Sequence, residues 1–157
     1  MSALVISDSH GKVDRIIEAI DRNLDAIDRV FFLGDGIEDI KLAQVTYYNI
    51  QFDYVLGNND FDDAVPEEKE VFYEGKKILL IHGHTYEGIY GTKRLIEKCK
   101  RNGIDAVFMG HTHRKKEVYV EDILFLNPGS IGRPFDGRAS YSVIDIDGVI
   151  HNNVMYI

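Results

Sequence analysis

Six short apolar runs in this chain each stop abruptly in a cluster of Gly, Asp, Asn, Ser or His. That repeated pattern constrains the fold more than any other feature. Ala3–Ser7 runs into Asp8-Ser9-His10-Gly11, Val30–Leu33 into Gly34-Asp35-Gly36, and Phe52–Leu56 into Gly57-Asn58-Asn59-Asp60. Lys77–Ile81 runs into His82-Gly83-His84, Ala106–Met109 into Gly110-His111-Thr112-His113, and Ile123–Leu126 into Asn127-Pro128-Gly129-Ser130. A short, continuously apolar run suits a strand covered on both faces. In sheets of covered parallel strands, ligands bind at the carboxyl ends. Five of the six histidines fall in these clusters, and only His151 lies elsewhere.

The segments between the runs supply the covering layers. Val13, Ile16, Ile17, Ile20, Leu24 and Ile27 recur at helical spacing, which predicts a helix over Val13–Asp28. A shorter helix is predicted over Ile37–Ala43. Another is predicted over Thr92–Asn102, with Thr92 as N-cap, basic residues in the last turn and Gly103 as the stop. Glu74-Gly75-Lys76 reads as a turn between paired strands, and Asp147-Gly148 as a two-residue hairpin in an antiparallel tail. Parallel α/β units thus come first and antiparallel strands last. The arrangement is α/β, with either one mixed sheet or two packed sheets and the helices outside. No repeat, low-complexity tract or linker interrupts the chain, so residues 1–157 read as a single domain.

Composition narrows the function. With 18 Lys and Arg against 26 Asp and Glu, the net charge is −8, which argues against nucleic acid or a membrane surface as partner. The amino terminus lacks a basic stretch and a long apolar segment, so no secretory leader is expected. The lone Cys99 forms no internal disulfide, in keeping with a reducing, cytoplasmic setting.

The strand-end residues suggest metal chemistry. Asp8, His10, Asp35, Asn58, His82, His111 and His113 combine carboxylate, imidazole and amide oxygen. That set suits Mn, Fe, Zn, Co or Ni, and no thiolate stands near to favour a structural zinc site. Asp-x-His and His-x-His would place both side chains on one side of an extended segment. Seven donors exceed one tetrahedral ion and suit two divalent ions sharing a carboxylate. Two such ions against two aspartates leave a positive pocket, the polarity a phosphate group requires.

The order Asp-x-His, Gly-Asp, Gly-Asn-x-Asp, His-Gly-His, Gly-His-Thr-His resembles the calcineurin-like metallophosphoesterases, and within them the small single-domain phosphodiesterases of bacteria and archaea. The resemblance runs from Asp8 to Ser130. It implies a four-layer αββα sandwich of two mixed β-sheets flanked by helices. It also implies a dinuclear site: one metal on Asp8, His10, Asp35 and His113, the other on Asp35, Asn58, His82 and His111, with manganese the leading candidate. Asp35 would bridge together with a hydroxide nucleophile, and the substrate would be a small phosphodiester. Many relatives carry His after the motif Asn, where it contacts the phosphate and assists the leaving group; here the position is Asn59, a catalytic candidate that can donate a hydrogen bond to a phosphoryl oxygen but cannot protonate an alkoxide. His84 is the nearby candidate to compensate.

Each motif also has a plainer reading. Asp8 and Asp35 can serve as turn or capping residues and Asn58-Asn59 as a turn pair, while Asp60, not placed on a metal, either orients the Asn59 loop or ends a turn. Asn127-Pro128-Gly129-Ser130 can be a tight turn or support behind the site, and Arg133 and Arg138 solvated loop charges. Cys99 reads as core and His151 as surface. A non-catalytic interaction scaffold is the main rival, since a retromer subunit shares this fold with degraded ligands. A nuclease subunit ranks lower, because the chain has no room for DNA-contacting additions. Exposed hairpin edges at the carboxyl end permit a homo-oligomer.

Overall fold

The computed structural model describes residues 1–157 as ten strands in two five-stranded sheets, with helices on both outer faces. The strands are β1 Ser2–Ile6, β2 Ile27–Phe32, β3 Gln51–Tyr54, β4 Glu68–Tyr73, β5 Lys76–Ile81, β6 Ala106–Phe108, β7 Lys115–Val120, β8 Ile123–Pro128, β9 Ser140–Ile146 and β10 Ile150–Tyr156. The α-helices are α1 Val13–Asp21, α2 Ile37–Thr46 and α3 Gly88–Asn102, the last preceded by a 3₁₀ turn over His84–Tyr86. One sheet has the order β10-β9-β1-β2-β3 and the other β4-β5-β6-β8-β7.

Three apolar cores separate the four layers, and strand alternation explains which residue goes to which. Leu4 and Ile6 of β1 point outward to Ile16 and Ile20 of α1 and Ile40 of α2. Ala3 and Val5 point inward, into a core between the sheets with Phe31, Ile78, Leu80, Phe108 and Leu126. Leu79, Ile81, Val107 and Phe125 point out the other way, onto Leu95 and Cys99 of α3. Both faces of each sheet are therefore dry at the centre, which is why these strands read as continuous apolar runs.

The parallel strands place the site. β1, β2 and β3 are mutually parallel, as are β5, β6 and β8. The antiparallel tail does not stay together: the β9–β10 hairpin returns to pair with β1, while β8 enters the second sheet parallel to β6. No helix is long and apolar enough to cross a membrane.

Several element ends differ from expectation. Helix α1 stops at Asp21, because Ile27 is taken into β2 opposite Ser2 and the chain must turn between them; Leu24 is left 46% exposed. Helix α3 starts four residues before Thr92, which sits inside it and donates its hydroxyl to the Gly88 carbonyl instead of capping. Gly91 permits that early start, since a Cβ there would meet the Tyr86 backbone at 2.4 Å. Gly103 ends the helix in the left-handed region, as expected. The last hairpin loop has three residues, Asp147 to Val149, with Ile146 opposite Ile150. Asn127 and Pro128 continue β8 and do not form a turn.

Candidate metal centre

The six polar clusters gather on one rim, where loops from both sheets meet. Main-chain hydrogen bonds join the loops: the Asp8 N–H donates to the Gly34 carbonyl (3.0 Å), His10 N–H to the Asp35 carbonyl (3.1 Å) and Gly110 N–H to the His82 carbonyl (3.0 Å). Gly57 and Gly110 allow this approach. A Cβ on Gly57 would meet the Asp35 carboxylate at 2.1 Å, and one on Gly110 would meet the Ser7 hydroxyl at 1.9 Å.

Five of the seven proposed ligand residues occupy the left-handed region: Asp8 (φ 55°), His10 (46°), Asp35 (59°), His111 (69°) and His113 (55°). The other non-glycine residues with positive φ are Glu74, Glu121 and Asp122, all between hairpin strands. Each such residue costs about 1 kcal/mol, so backbone strain is concentrated at this rim. The Asp-x-His and His-x-His pairs therefore reach inward from curled backbone, not from an extended segment. The two histidines of the second pair also part company, His113 approaching Asp8 and His111 approaching Asn58.

Asp8, His10, Asp35 and His113 bring four donor atoms within 4.8 Å of one another, a group that can hold a cation. Beside it, the Asn58 amide oxygen lies 3.0 Å from both His82 Nε2 and His111 Nδ1. Asp35 stands between the two groups, its Oδ2 at 3.6 Å from His10 Nε2 and 3.5 Å from His82 Nε2.

The hydrogen bonds behind these side chains test whether a cation belongs there. The Leu33 carbonyl can only accept, so His82 must donate Nδ1–H to it (2.7 Å), leaving Nε2 as a lone pair. By the same logic His113 donates Nδ1–H to the Arg133 carbonyl (2.6 Å), and His111 donates Nε2–H to the Glu87 carboxylate (2.5 Å). Three imidazole lone pairs thus face amide or carboxylate oxygens. Asp8 Oδ1 is buried, has no hydrogen-bond partner and lies 3.2 Å from His113 Nε2. Acceptor set against acceptor is unfavourable unless a proton or metal ion lies between them. His113 shows the pull directly: a proton on Nε2 would be held by the Asp8 carboxylate, which raises the His113 pKa above the ordinary histidine value against the effect of burial. For His82 burial dominates and lowers the pKa, favouring the neutral, ligating form. The donor set fits a divalent ion.

Asp35 is held as an anion. Burial pushes its carboxyl up, but the Asn59 N–H (2.9 Å) and side-chain amide (2.7 Å), with His82 and His10 nearby, bring it below the usual carboxylate value. Asn59 is therefore engaged with Asp35. His84 lies with its ring 5.5 Å from that of His82 and 6.1 Å from that of His111, and its buried Nδ1 has no partner.

Three supports escaped sequence reasoning in whole or part. The Asp60 carboxylate accepts N–H groups of Asp35, Gly36, Ile37 and Gly57, fastening the loops after β2 and β3 together. Its place in Gly-Asn-x-Asp was the available signal. Glu87 orients His111 from the start of α3, and nothing in its sequence context announces this. Behind the site, Ser130 donates its hydroxyl to the Asp8 carbonyl and Asn127 its amide to the Gly110 carbonyl, so that segment supports the rim loops. Arg138 lies over Tyr156, and His151 pairs with Asp147 on the surface.

Residues 1–148 match the family model for the calcineurin-like phosphoesterase superfamily domain. The chain belongs to that superfamily. YsnB of Bacillus subtilis, named a probable metallophosphoesterase, is 28% identical over 152 residues, covering 94% of this chain and 85% of its own. A phosphodiesterase of Methanocaldococcus jannaschii is 24% identical over 159 residues, covering 91% and 92%. A crystal structure from Streptococcus pneumoniae, described as a predicted phosphoesterase, superposes with a TM-score of 0.83 at 27% identity, covering 99% of this chain and 88% of that one. A calcineurin-like phosphoesterase works with bound metal on phosphoester substrates, and the Asp8-His10-Asp35-His113 group supplies this chain with a place for one.

Proposed function

We propose that this phosphoesterase hydrolyses small phosphodiesters at a two-metal site. Asp8, His10, Asp35 and His113 would hold one ion, and Asp35, Asn58, His82 and His111 the other, with manganese the first candidate. The observation that carries this reading is the excess of acceptors: imidazole nitrogens whose other nitrogen is already engaged, an amide oxygen and the partnerless Asp8 oxygen face one another across 3.0–3.2 Å. When bound, divalent ions supply a water of lowered pKa and neutralise charge developing on phosphoryl oxygens. The chain's own residues do the rest. Asn59 keeps Asp35 ionised and fixed between the two groups. Glu87, Leu33 and Arg133 hold three imidazoles in the ligating tautomer. Asn59, engaged with Asp35, does not protonate a leaving group. His84, whose Nδ1 has no partner, is the nearby imidazole that would compensate, and the lack of an acid at Asn59 favours esters whose leaving group needs little help. The partnerless, buried Cys99 accords with a cytoplasmic enzyme.

The test is turnover of bis(4-nitrophenyl) phosphate and of 4-nitrophenyl phosphate by protein reconstituted with Mn²⁺. Faster turnover of the diester is expected, lost in Asp35→Asn while circular dichroism is retained. Bound metal with no turnover of either ester would overturn this reading in favour of a scaffold.

A further inference from the structure

We infer that Phe135 is a recognition residue that favours phosphodiesters bearing a planar aromatic group, a nucleobase or an aryl ring, over aliphatic ones. This rests on the phosphodiesterase reading above and narrows its substrate class. The Phe135 ring stacks on the His113 imidazole, with centroids 4.6 Å apart and planes at 29°, yet its side chain is 62% exposed. Of the exposed aromatic side chains, it is the one in ring contact with an imidazole of the donor cluster.

The exposure is built in. The loop carrying Phe135 is fixed at each end: Ile131 and Gly132 donate their N–H groups to the Ser7 and Asp8 carbonyls, both at 3.1 Å. The Phe135 N–H donates to the His113 carbonyl at 3.0 Å, and the Asp136 carboxylate accepts the Lys115 N–H at 2.6 Å. A pinned loop thus keeps an apolar ring at the rim of a polar, cation-seeking pocket. One face of the ring covers His113, and the rest meets water. Ligand sites commonly set aromatic side chains beside a few placed polar groups, and Phe135 stands in that relation to His113. A flat ring offers its best contact to another flat ring, because stacking tolerates many aromatic partners and needs no directed hydrogen bond. Phe135 is thus in direct contact with a member of the donor cluster, which places it next to where a phosphorus held there would carry its ester substituents.

The test compares two diesters with the same 4-nitrophenolate leaving group: the 4-nitrophenyl ester of thymidine 5′-monophosphate and methyl 4-nitrophenyl phosphate. In Mn²⁺-loaded protein, Phe135→Ala should lower the thymidine-over-methyl ratio of kcat/KM by about tenfold, mostly through KM, the loss expected for one stacked base. Phe135→Trp should restore the ratio or exceed it, which also covers the case of a poorly folded alanine variant. If Phe135 only shields His113, both esters suffer equally and the ratio stays fixed; that result overturns the proposal. If wild type turns over neither ester, the phosphodiesterase reading fails, and calorimetry with thymidine 5′-monophosphate and ribose 5-phosphate decides the binding question. Tighter binding of the thymidine compound, lost in Phe135→Ala, supports the role, and equal affinities refute it.

Discussion

Removing the Asp60 carboxylate should loosen the rim without touching a proposed metal ligand side chain. Its Oδ2 accepts the Asp35 N–H at 2.7 Å and the Gly57 N–H at 2.8 Å, and its Oδ1 accepts Gly36 N–H at 2.8 Å and Ile37 N–H at 3.0 Å. Buried hydrogen bonds to a charged group contribute about 1.5–3 kcal/mol each. Asp60 is only half-buried, so water replaces part of this, and about 1 kcal/mol per bond is the reasonable scale. Asp60→Ala should therefore lose roughly 4 kcal/mol. Asp60→Asn should lose roughly half of that, because one oxygen keeps its two donors while the new NH₂ group confronts the other two. For a domain of this size, those losses correspond to falls in Tm of roughly 8–16 °C and 4–8 °C. Urea unfolding in excess chelator, followed by circular dichroism, measures the losses free of metal linkage. A loss below about 1 kcal/mol for alanine, or equal losses for alanine and asparagine, would refute the reasoning.

The remaining predictions concern the same rim and its surroundings. At a pH where His113 is unprotonated, Asp8→Asn should raise the stability of metal-free protein by about 1 kcal/mol, since the new amide can donate toward the His113 lone pair where Asp8 Oδ1 had no partner; thermal melts should also show the metal-induced gain in Tm diminished. In metal-free wild type, His113 should titrate above the ordinary histidine value of 6.5 by NMR, because Asp8 accepts its proton. A raised folded-state pKa stabilises most below the unfolded value, so this contribution is full below about pH 6.5 and fades as pH rises through the His113 pKa; the Asp8→Asn variant should lack it. Burial pushes the Cys99 thiol up to about 11, so iodoacetamide at pH 8 should label it only on unfolding, as mass spectrometry would show.

The strand ends were legible because polar residues that bind a ligand interrupt apolar runs that fill a core. Asp8, Asp35, Asn58, His82, His111 and His113 stand where those two demands meet, and the structure brings them together. Helix ends were less legible because tertiary pairing decides them. Ile27 continues the helical spacing of α1, yet the strand partner Ser2 claims it. Thr92 has the side chain of an N-cap, yet α3 begins at Gly88, and Gly91 is the residue that lets it pass against Tyr86. Apart from Gly57, the partners of Asp60 and Glu87 lie 23 to 25 residues away in the chain and are mostly main-chain N–H groups, which leave no trace in side-chain type. The curled backbone was hidden too, since nothing about Asp8 or His10 signals a positive φ until the loops are seen to meet.

In the proposed site, paired ions share Asp35 among seven converging donors. Equilibrium dialysis against Mn²⁺ with elemental analysis tests it most directly, on wild type, Asn58→Ala and Asp35→Asn. Two ions per chain in wild type, one in Asn58→Ala and none in Asp35→Asn is the expected result. Undiminished stoichiometry in Asp35→Asn, or no metal retained by the folded wild type, would contradict the account.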